Sequence, residues 1–431
     1  MQWLNRVMLR LLTGNILDRR SLVKTVKLRE IAELKTGPFG TQFSAKEYVS
    51  EGIPVINVKN IGYGNIISEG LVYVGTNTLE RLSEHKLKTG DIVFGRKGSV
   101  DRHCLITEKQ DGWMQGSDCI RVRLTDASVY PNFISYYLLT DVVKAKINNS
   151  AVGSTMASLN TDILGDIDIR LPNCEEQYKI ATALATIDQK IEANNKINDY
   201  LEEMAKTIYD YWFIQFDFPG ENGKPYKSSG GKMSFCNELN REIPQNWNYT
   251  SIGNITICLD SERIPLSNQQ REGMKGSIPY YGATGIMDYV NRPIFSGNFV
   301  LLAEDGSVMD DNGNPILQRV SGDVWINNHT HVLQPVKGYS CRLLYLLLKD
   351  IPVSIIKTGS IQMKINQANL NNYNILSIPD AIRTQFINCV EPLDTKIMQI
   401  QQENNNLIQF RDWLLPMLMN GQATIEDCCD K

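Results

Sequence analysis

An internal duplication constrains the fold of this 431-residue chain more than any other feature of its sequence. Short segments recur in the same order about 206 to 212 residues further along the chain. Gly98-Ser99-Val100 returns as Gly306-Ser307-Val308, and Gly153-Ser154 returns as Gly359-Ser360. The conserved order predicts two copies of one structural unit.

Charge follows the same repeat. Residues 27–172 and 246–379 each have no net charge, whereas residues 173–216 and 380–431 each carry a net charge of −4. Neutral and acidic segments therefore alternate twice. The charge of the whole chain, −4, argues against a polybasic surface that binds nucleic acid without regard to sequence.

The two kinds of segment differ in their hydrophobic pattern. The neutral segments contain short β-branched and aromatic runs bounded by glycine, such as 53–58 and 298–303, which predict mixed strands and helices. The acidic segments lose glycine and place apolar residues at helical spacing, which predicts two helices roughly 55 to 60 Å long. The predicted fold class is α+β, with two similar mixed α/β recognition domains separated by two long antiparallel coiled-coil helices in a pseudo-twofold arrangement.

These patterns also predict the order of the domains. Residues 1–26 are an N-terminal extension, either an amphipathic helix or an extended gene start, without a counterpart in the second repeat. The other predicted parts are the first recognition domain (27–172), the first spacer helix (173–216), a linker (217–245), the second recognition domain (246–379), the second spacer helix (380–422) and a tail (423–431).

A coiled-coil seam is predicted on the two helices, because apolar residues alternate in steps of three and four. The positions expected to hold this scaffold are Ile180, Leu184, Ile187, Ile191, Asn198, Leu201, Ile208, Leu393, Ile397, Ile400, Asn404, Leu407 and Leu414. Asn198 and Asn404 lie near the middle of their stripes, 206 residues apart. They either face each other and fix the register of the helices, or both turn to solvent.

Two similar domains on a rigid spacer suit a target with two separated features. Duplex DNA is such a target, because the same face of its major groove returns about every 34 Å. Bases would be read by matching hydrogen-bond donors and acceptors, and cations would hold phosphates. A two-part DNA target with unread pairs between the parts is therefore predicted. A coiled-coil scaffold with two protein-binding modules remains an alternative, as does a free-standing DNA methyltransferase or nuclease.

Candidate DNA contacts are polar and cationic residues in loops bounded by glycine. In the first domain they are Lys35, Thr36, Thr41, Lys59, Asn60, Arg96, Lys97, Ser99, Arg102 and Thr155. In the second domain they are Lys275, Tyr281, Thr284, Arg292, Ser307, Asn328, His329, Gln362 and Lys364.

No catalytic residues are predicted. The sequence has no Asn/Asp-Pro-Pro-aromatic loop typical of methyltransferases, and Pro379-Asp380 lacks the acidic-x-Lys that would complete a nuclease motif. His329 and His331, with Cys341 nearby in sequence, form a weak metal motif without a carboxylate cluster, so no metal site is predicted. The chain has neither an apolar run of about 18 residues nor a signal peptide, so we expect a cytoplasmic location without a membrane partner.

Several motifs form a recognisable pattern along the chain. They are Gly153-Ser154 to Asn160 with Leu171-Pro172 and Glu175-Glu176-Gln177-x-x-Ile180, Phe216-Asp217-Phe218-Pro219, Arg241-Glu242-Ile243-Pro244-x-x-Trp247, Tyr281-Gly282-Ala283-Thr284-Gly285-Ile286, Trp325-Ile326-Asn327-Asn328-His329 and Leu414-Leu415-Pro416-x-Leu418-Met419. Together they resemble the specificity subunit of type I restriction-modification enzymes, and the resemblance covers about residues 27–422. The second junction departs from the pattern, with Arg383-Thr384-Gln385 where the first has Glu175-Glu176-Gln177.

This resemblance implies a non-catalytic subunit that binds double-stranded DNA, two methyltransferase subunits and two restriction subunits. The complex would be a site-specific deoxyribonuclease and an adenine-N6 methyltransferase. The resemblance also implies that S-adenosylmethionine, ATP and magnesium are bound by the partner subunits, and that no cofactor is bound by this chain.

Overall fold

A computed structural model of the chain describes residues 23–151, 157–220, 222–359 and 363–425. The chain divides into two compact units. Unit 1 combines the chain up to Glu192 with the segment from Asn405 onward, and unit 2 is Ala193–Asn404. Each of the two long helices contributes one part to each unit.

Unit 1 contains the first mixed α/β domain. Its strands are β1 (Lys24–Lys27), β2 (Ala32–Thr36), β3 (Tyr48–Val49), β4 (Ile53–Ile56), β5 (Tyr63–Gly64), β6 (Val72–Val74), β7 (Ile92–Gly95), β8 (His103–Leu105), β9 (Met114–Gln115), β10 (Cys119–Leu124) and β11 (Asp168–Leu171). Its helices are α1 (Leu28–Ile31), α2 (Thr76–Arg81), α3 (Pro131–Leu138), α4 (Asp141–Ser150), α5 (Thr161–Gly165) and the start of α6 (Cys174–Tyr209). The strands form sheets in the orders β2-β10-β7-β8-β5, β3-β6-β4-β9 and β1-β11.

Unit 2 contains the second mixed domain. Its strands are β12 (Met233–Cys236), β13 (Arg241–Pro244), β14 (Asn248–Ser251), β15 (Thr256–Cys258), β16 (Lys275–Gly282), β17 (Gly285–Val290), β18 (Phe295–Ala303), β19 (Leu317–Ile326), β20 (Thr330–Pro335), β21 (Lys357–Thr358), β22 (Lys364–Ile365) and β23 (Asn374–Ser377). Its helices are α7 (Ile252–Ile255), α8 (Asn268–Glu272), α9 (Cys341–Lys349), α10 (Val353–Ile356), α11 (Gln367–Asn372) and the start of α12 (Asp380–Met419). The main sheet has the order β15-β20-β18-β19-β16-β17.

The duplication is visible in the frame of both domains. Each begins with a strand, a one-turn helix and a second strand, and in each the first strand pairs antiparallel with the last strand of the domain. The short helices α5 and α11 are capped by residues that are 206 positions apart: Asn160 Oδ1 accepts a hydrogen bond from Ile163 N at 2.8 Å, and Asn366 Oδ1 accepts one from Ala368 N at 2.7 Å. Asparagine is favoured at this position because it satisfies a helical N–H without a partner. These features confirm the predicted fold class.

The long helices pack antiparallel within each unit. In unit 1 the first turns of α6, with Ile180 and Leu184, share a core with Leu414 and Leu418 from the last turns of α12. In unit 2 the last turns of α6 meet the first turns of α12, where the ring centre of Tyr209 lies 6.3 Å from that of Phe386. The apolar stripes of two amphipathic helices are buried against each other in this arrangement.

Most of the predicted seam is buried. Ile180, Leu184, Ile187, Ile397, Ile400, Asn404, Leu407 and Leu414 are buried, whereas Ile191, Asn198, Leu201, Ile208 and Leu393 are half-buried. The expected pairing of Asn198 with Asn404 is not what the structure contains. Asn404 Oδ1 accepts a hydrogen bond from Asn194 Nδ2 at 2.8 Å, and Asn404 Nδ2 donates to Asn195 Oδ1 at 2.8 Å.

The reason for this correction is the register of the helices. When Asn404 lies opposite Asn194, an antiparallel partner places Asn198 opposite Ile400. Accordingly, the Oδ1 atom of Asn198 is buried and has no hydrogen-bond partner within the described parts of the chain. One asparagine of the repeat pair is therefore satisfied, and the other has an unpaired oxygen.

The element bounds differ from the predicted domain bounds in three places. The first strand begins at Lys24, inside the segment assigned to the extension, and residues 1–22 of that segment lie outside the described residues. The segment expected to be a linker contains the hairpin β12–β13. The helix α6 continues as one π-helical turn over Asp210–Ile214. No helix among the described residues is long and apolar enough to span a membrane.

Candidate nucleic-acid interface

A β hairpin loop brings together four of the predicted contacts in the first domain. Residues 96–102 connect β7 to β8, and Gly95 N donates to Arg102 O at 3.4 Å across the base of the loop. Gly98 has φ +79°, a conformation that a side chain at this position would strain. Lys97 and Ser99 are exposed beside it, and Arg96 and Arg102 occupy the two ends of the loop.

Two of the predicted lysines in the first domain are already paired. Lys35, on β2, forms an ion pair with Glu84, and this hydrogen bond lowers the pKa of the Glu84 carboxyl. Lys97 lies 3.1 Å from Asp118. Thr36 follows Lys35 at the end of β2 and is half-buried. Neutralised lysines contribute less to DNA attraction than unpaired cations at the same place.

Asn60 was predicted to contact DNA, but it has a structural role. Its side chain is fully buried, and Nδ2 donates to the carbonyl oxygens of Ile67 and Glu69 at 3.0 Å each. Its Oδ1 accepts from Asn57 N at 3.2 Å. A buried amide with these partners holds the turn together, so it is not available to a base. The neighbouring Lys59 is exposed.

The side chains of three predicted contacts are not among those that the structure describes. Thr155 and Gln362 lie outside the described residues, and of Thr41 only the backbone is described, in the turn Gly40–Gln42.

In the second domain, one cluster gathers residues from three separate loops. His329 Nδ1 lies 2.6 Å from Asp305 Oδ1, and Lys364 Nζ lies 2.8 Å from Glu304 Oε1. Ser307 and Asn328 are exposed in the same two loops that carry Asp305 and His329. The hydrogen bond to Glu304 raises the pKa of Lys364. The structure therefore brings Ser307, Asn328, His329 and Lys364 of the predicted set close together.

The β16–β17 hairpin carries four other predicted residues at its two ends. The turn with Tyr281 and Thr284 lies near this cluster, because Asn327 N donates to Tyr281 O at 3.0 Å. Lys275 is at the other end of the hairpin, where its Nζ lies 2.9 Å from Asp288. Arg292 is exposed just beyond that end, with its guanidinium carbon 5.8 Å from the ring centre of Trp325.

A buried ionic network lies next to the Asp305–His329 cluster and was missed by sequence reasoning. His331 Nδ1 lies 2.5 Å from Asp260 Oδ2, and its Nε2 lies 3.0 Å from Ile365 O. Arg263 Nη1 donates to Glu304 Oε2 at 2.7 Å. Burial acts to lower the pKa of His331, but the hydrogen bond and charge of Asp260, the Ile365 carbonyl and the charge of Glu304 together raise that pKa above its usual value.

Cys258, Asp260 and His331 form the one cluster of potential metal ligands among the described residues, whereas the motif considered in the sequence was His329, His331 and Cys341. Both ring nitrogens of His331 have oxygen partners, and Arg263 supplies a cation 3.4 Å from Asp260. Charge balance in this network is thus achieved by the side chains themselves.

Two exposed aromatic residues in the first domain were also missed. Phe39 lies between Pro38 and Gly40, and Tyr63 lies between Gly62 and Gly64. An aromatic residue flanked by turn-forming residues is a signal that could have identified them, because such a ring cannot be part of a regular buried stripe.

Comparison with known proteins places both halves of the chain in one family. Residues 21–203 and 244–409 match the family described as the type I restriction modification DNA specificity domain. The MjaIX type I restriction enzyme specificity subunit of Methanocaldococcus jannaschii is 26% identical over 421 residues, covering 93% of each chain. The HindI specificity subunit of Haemophilus influenzae is 19% identical and covers 85% of this chain and 94% of its own.

The fold also matches a solved structure. The crystal structure of a type I restriction-modification S subunit from M. genitalium covers 93% of this chain and 97% of its own, with a TM-score of 0.53 and 16% sequence identity.

Proposed function

Because the chain belongs to the type I restriction modification DNA specificity family, we propose that it is the non-catalytic subunit that reads the DNA target of such a system. The family match in both halves of the chain is the observation that carries this proposal. Each half supplies one recognition domain, and each domain reads one part of a two-part target. The base pairs between the two parts are not read.

The composition of the loops favours recognition of specific bases over non-specific electrostatic attraction to the DNA backbone. Each recognition domain has no net charge, so a dense cationic surface does not supply the affinity. Hydroxyl, amide and guanidinium groups are instead concentrated in glycine-bounded loops, as at Ser99 and Arg102 in one domain and Ser307 and Asn328 in the other. Such groups discriminate bases by hydrogen bonding, with about 1 to 3 kcal/mol for each good bidentate pair.

The long helices set the distance between the two parts of the target in this proposal. α6 contains 36 residues and α12 contains 40, which corresponds to about 54 to 60 Å at the usual helical rise. Lengthening both helices by the same number of turns would change the number of unread base pairs without changing the bases read.

An exposed apolar stripe on α6 supports binding of a methyltransferase subunit. Ile197, Tyr200 and Met204 on α6 are all exposed, although their side chains are large and apolar or aromatic, and Tyr211 in the π-helical turn that follows is exposed as well. The spacing of three and four residues places Ile197, Tyr200 and Met204 on one side of the helix. Exposed apolar stripes of this kind mark protein interfaces. We assign this stripe to one of two methyltransferase subunits.

The remaining partners follow from the same assignment. Two restriction subunits complete the complex, and S-adenosylmethionine, ATP and magnesium are bound by the partner subunits and not by this chain. The complex would act where its DNA is, in the cytoplasm.

A binding experiment on the assembled complex tests the proposal. The full chain with its methyltransferase subunits is titrated with a library of random duplexes at several salt concentrations, and bound duplexes are sequenced. We expect a weak component that falls steeply with salt and a tighter, sequence-selective component. Binding without selection, or methyl transfer or cleavage by the purified chain alone with cofactors, would contradict it.

A further inference from the structure

Both arginines of the 96–102 loop lie over exposed aromatic rings. The guanidinium carbon of Arg96 is 5.8 Å from the ring centre of Phe39, and that of Arg102 is 5.3 Å from the ring centre of Tyr63. Phe39 is 57% exposed and Tyr63 is 49% exposed. Large aromatic side chains with this exposure contribute little to the core, and here each ring faces a cation of the loop.

The loop holds each arginine from the backbone side. Arg96 N donates to Asp118 O at 2.8 Å, and Arg96 O accepts from Leu159 N at 2.8 Å. Tyr63 is fixed next to Arg102, because β5 pairs with β8 and places Tyr63 beside His103. The backbones of Arg96 and Tyr63 are therefore anchored.

The charges of these two arginines are not neutralised by the protein. Among the residues that the structure describes, neither guanidinium has a carboxylate or hydrogen-bond partner, and both Nε atoms are buried without one. The neighbouring cations differ, since Lys35 is paired with Glu84 and Lys97 with Asp118. An unpaired guanidinium retains its outer N–H groups for an external acceptor.

We propose that Arg96 and Arg102 read guanine in the first part of the target, with Phe39 and Tyr63 as positioning residues that fix the guanidinium planes. This inference rests on the proposed function. A guanidinium that contacts O6 and N7 of guanine must lie in the plane of the base, and an aromatic ring beneath it restricts its orientation. A phosphate contact needs charge but no fixed plane, and the flexible Lys97 would serve equally well.

Conservative variants separate shape from charge. Arg96→Lys and Arg102→Lys keep the positive charge and remove the planar fork, whereas Phe39→Leu and Tyr63→Leu remove only the ring. Arg241→Lys is the matched control, because Arg241 lies 5.3 Å from the ring centre of Phe216 but outside the predicted recognition domains. Each full-length variant is assembled with the methyltransferase subunits and used to select from a library of random duplexes.

The expected result is position-specific. Arg96→Lys and Arg102→Lys each lose preference at one G·C pair in the first part of the motif, by roughly 5- to 150-fold. Phe39→Leu weakens preference at the same pair as Arg96→Lys, and Tyr63→Leu at the same pair as Arg102→Lys. The second part of the motif stays unchanged in every variant, which shows that the protein is folded and assembled. Arg241→Lys selects the wild-type motif.

Other outcomes would overturn the inference. If the lysine variants select the wild-type motif, whether or not they bind all sequences less tightly, the arginines contact phosphates or nothing. A change in the second part of the motif would point to a structural role. If the wild-type complex selects no motif at all, the proposed function itself fails, which is a distinguishable result.

Discussion

The two halves of the molecule use the same acidic position on their long helices with different chemistry. Asp188 on α6 and Asp394 on α12 are 206 residues apart in the repeat. Asp188 is partly exposed, and it accepts hydrogen bonds from Tyr136 Oη at 2.6 Å and Arg411 Nη1 at 2.9 Å. Asp394 is buried, and it accepts from Arg319 Nη2 at 2.5 Å and Arg342 Nε at 2.7 Å.

As a consequence, the stability of unit 2 depends more strongly on its aspartate ion pairs than the stability of unit 1 does. Arg342 is 0% exposed and also binds Glu202 on α6, so in unit 2 a buried ionic network connects α9 to both long helices. In unit 1 the corresponding contact can exchange its partners for water. Duplication has thus preserved the position of the carboxylate, while the surroundings have changed from a half-exposed contact to a buried network.

Two buried histidines, one in each domain, also differ in their surroundings. His103, in the first domain, is fully buried, with its Nε2 3.0 Å from Ser135 Oγ. Burial lowers the pKa of His103 to about 4, so the ring is neutral in the folded protein. His331, in the second domain, faces Asp260, and its pKa is raised. The lesson is that a repeated fold does not imply a repeated response to pH.

The largest expected effect is on the buried network. Asp394→Asn leaves Arg319 and Arg342 buried without a full counter-charge, and we expect a loss of about 3 to 5 kcal/mol in the stability of unit 2. Hydrogen exchange of residues 193–404 measures it. Asp323→Asn, on an exposed position of β19, is the matched control. Equal protection in Asp394→Asn and in the control would remove the distinction between the two aspartates.

Acidification should act on the two units in different directions. The pKa of His103 is about 4 in the folded protein and near 6.5 in the unfolded chain, so the unfolded chain binds the proton at a higher pH. The free energy of unfolding of unit 1 therefore falls by about 3 kcal/mol as the pH falls through this range. The contribution of His331 is fully present below about pH 6.5 and is lost as pH rises through its raised pKa.

Hydrogen exchange between pH 4 and pH 8, resolved by unit, measures both slopes. Exchange rates are first corrected for their intrinsic pH dependence. His103→Gln should remove most of the acid-side loss of stability in unit 1, where the buried His85, whose pKa burial also lowers, contributes the rest. His331→Gln should remove the alkaline-side loss in unit 2. Parallel stability curves for the two units in the wild-type protein would mean that the two histidines do not differ as described.

The asparagine contact gives a smaller effect. Asn404→Ala removes a hydrogen-bond partner of the buried Asn194, so we expect the free energy of unfolding to fall by about 1 to 2 kcal/mol. Asn198→Leu is the matched comparison, since it removes an oxygen that has no partner, and it should be neutral or stabilising. Denaturant titration measures both variants. A larger loss for Asn198→Leu than for Asn404→Ala would refute the register.

The smallest expected effect is at the half-exposed counterpart. Asp188→Asn should lower the free energy of unfolding by about 1 kcal/mol, because water can solvate the Arg411 guanidinium after the carboxylate charge is removed. Protection of α6 over residues 174–192, measured by hydrogen exchange, tests this value. A loss as large as that of Asp394→Asn would show that exposure does not explain the difference between the halves.

Features that depend on local pattern could be predicted from the sequence. The repeat, the alternation of charge and the stripe from Ile180 to Ile208 determine the two domains and the two helices, because helix periodicity is a short-range property. The pairing of Asn404 with Asn194 could not be predicted, since a shift of one turn leaves the apolar pattern intact and only three-dimensional packing selects the register.

The loops that carry the candidate site could be identified from the sequence, but the role of each residue in them could not. Glycine-bounded loops mark where the chain turns, so the group from Arg96 to Arg102 and, separately, Ser307 and His329 could be identified as candidates, whereas the contact between the loops of Ser307 and His329 could not. Burial could not be read from composition, and for that reason Asn60 was assigned to DNA although it holds a turn. Ion pairs between distant segments, such as Lys35 with Glu84, likewise depend on the tertiary fold.

The most direct test of the central claim is the methylation motif of cells that express this chain with its methyltransferase partner. Genome-wide sequencing of methylated adenine should reveal a two-part motif with a fixed number of unread pairs. Replacing residues 27–172 with another recognition domain should change one part of the motif and leave the other part and the gap unchanged. A single continuous motif, or a change in both parts, would contradict the assignment of one reader to each half of the chain.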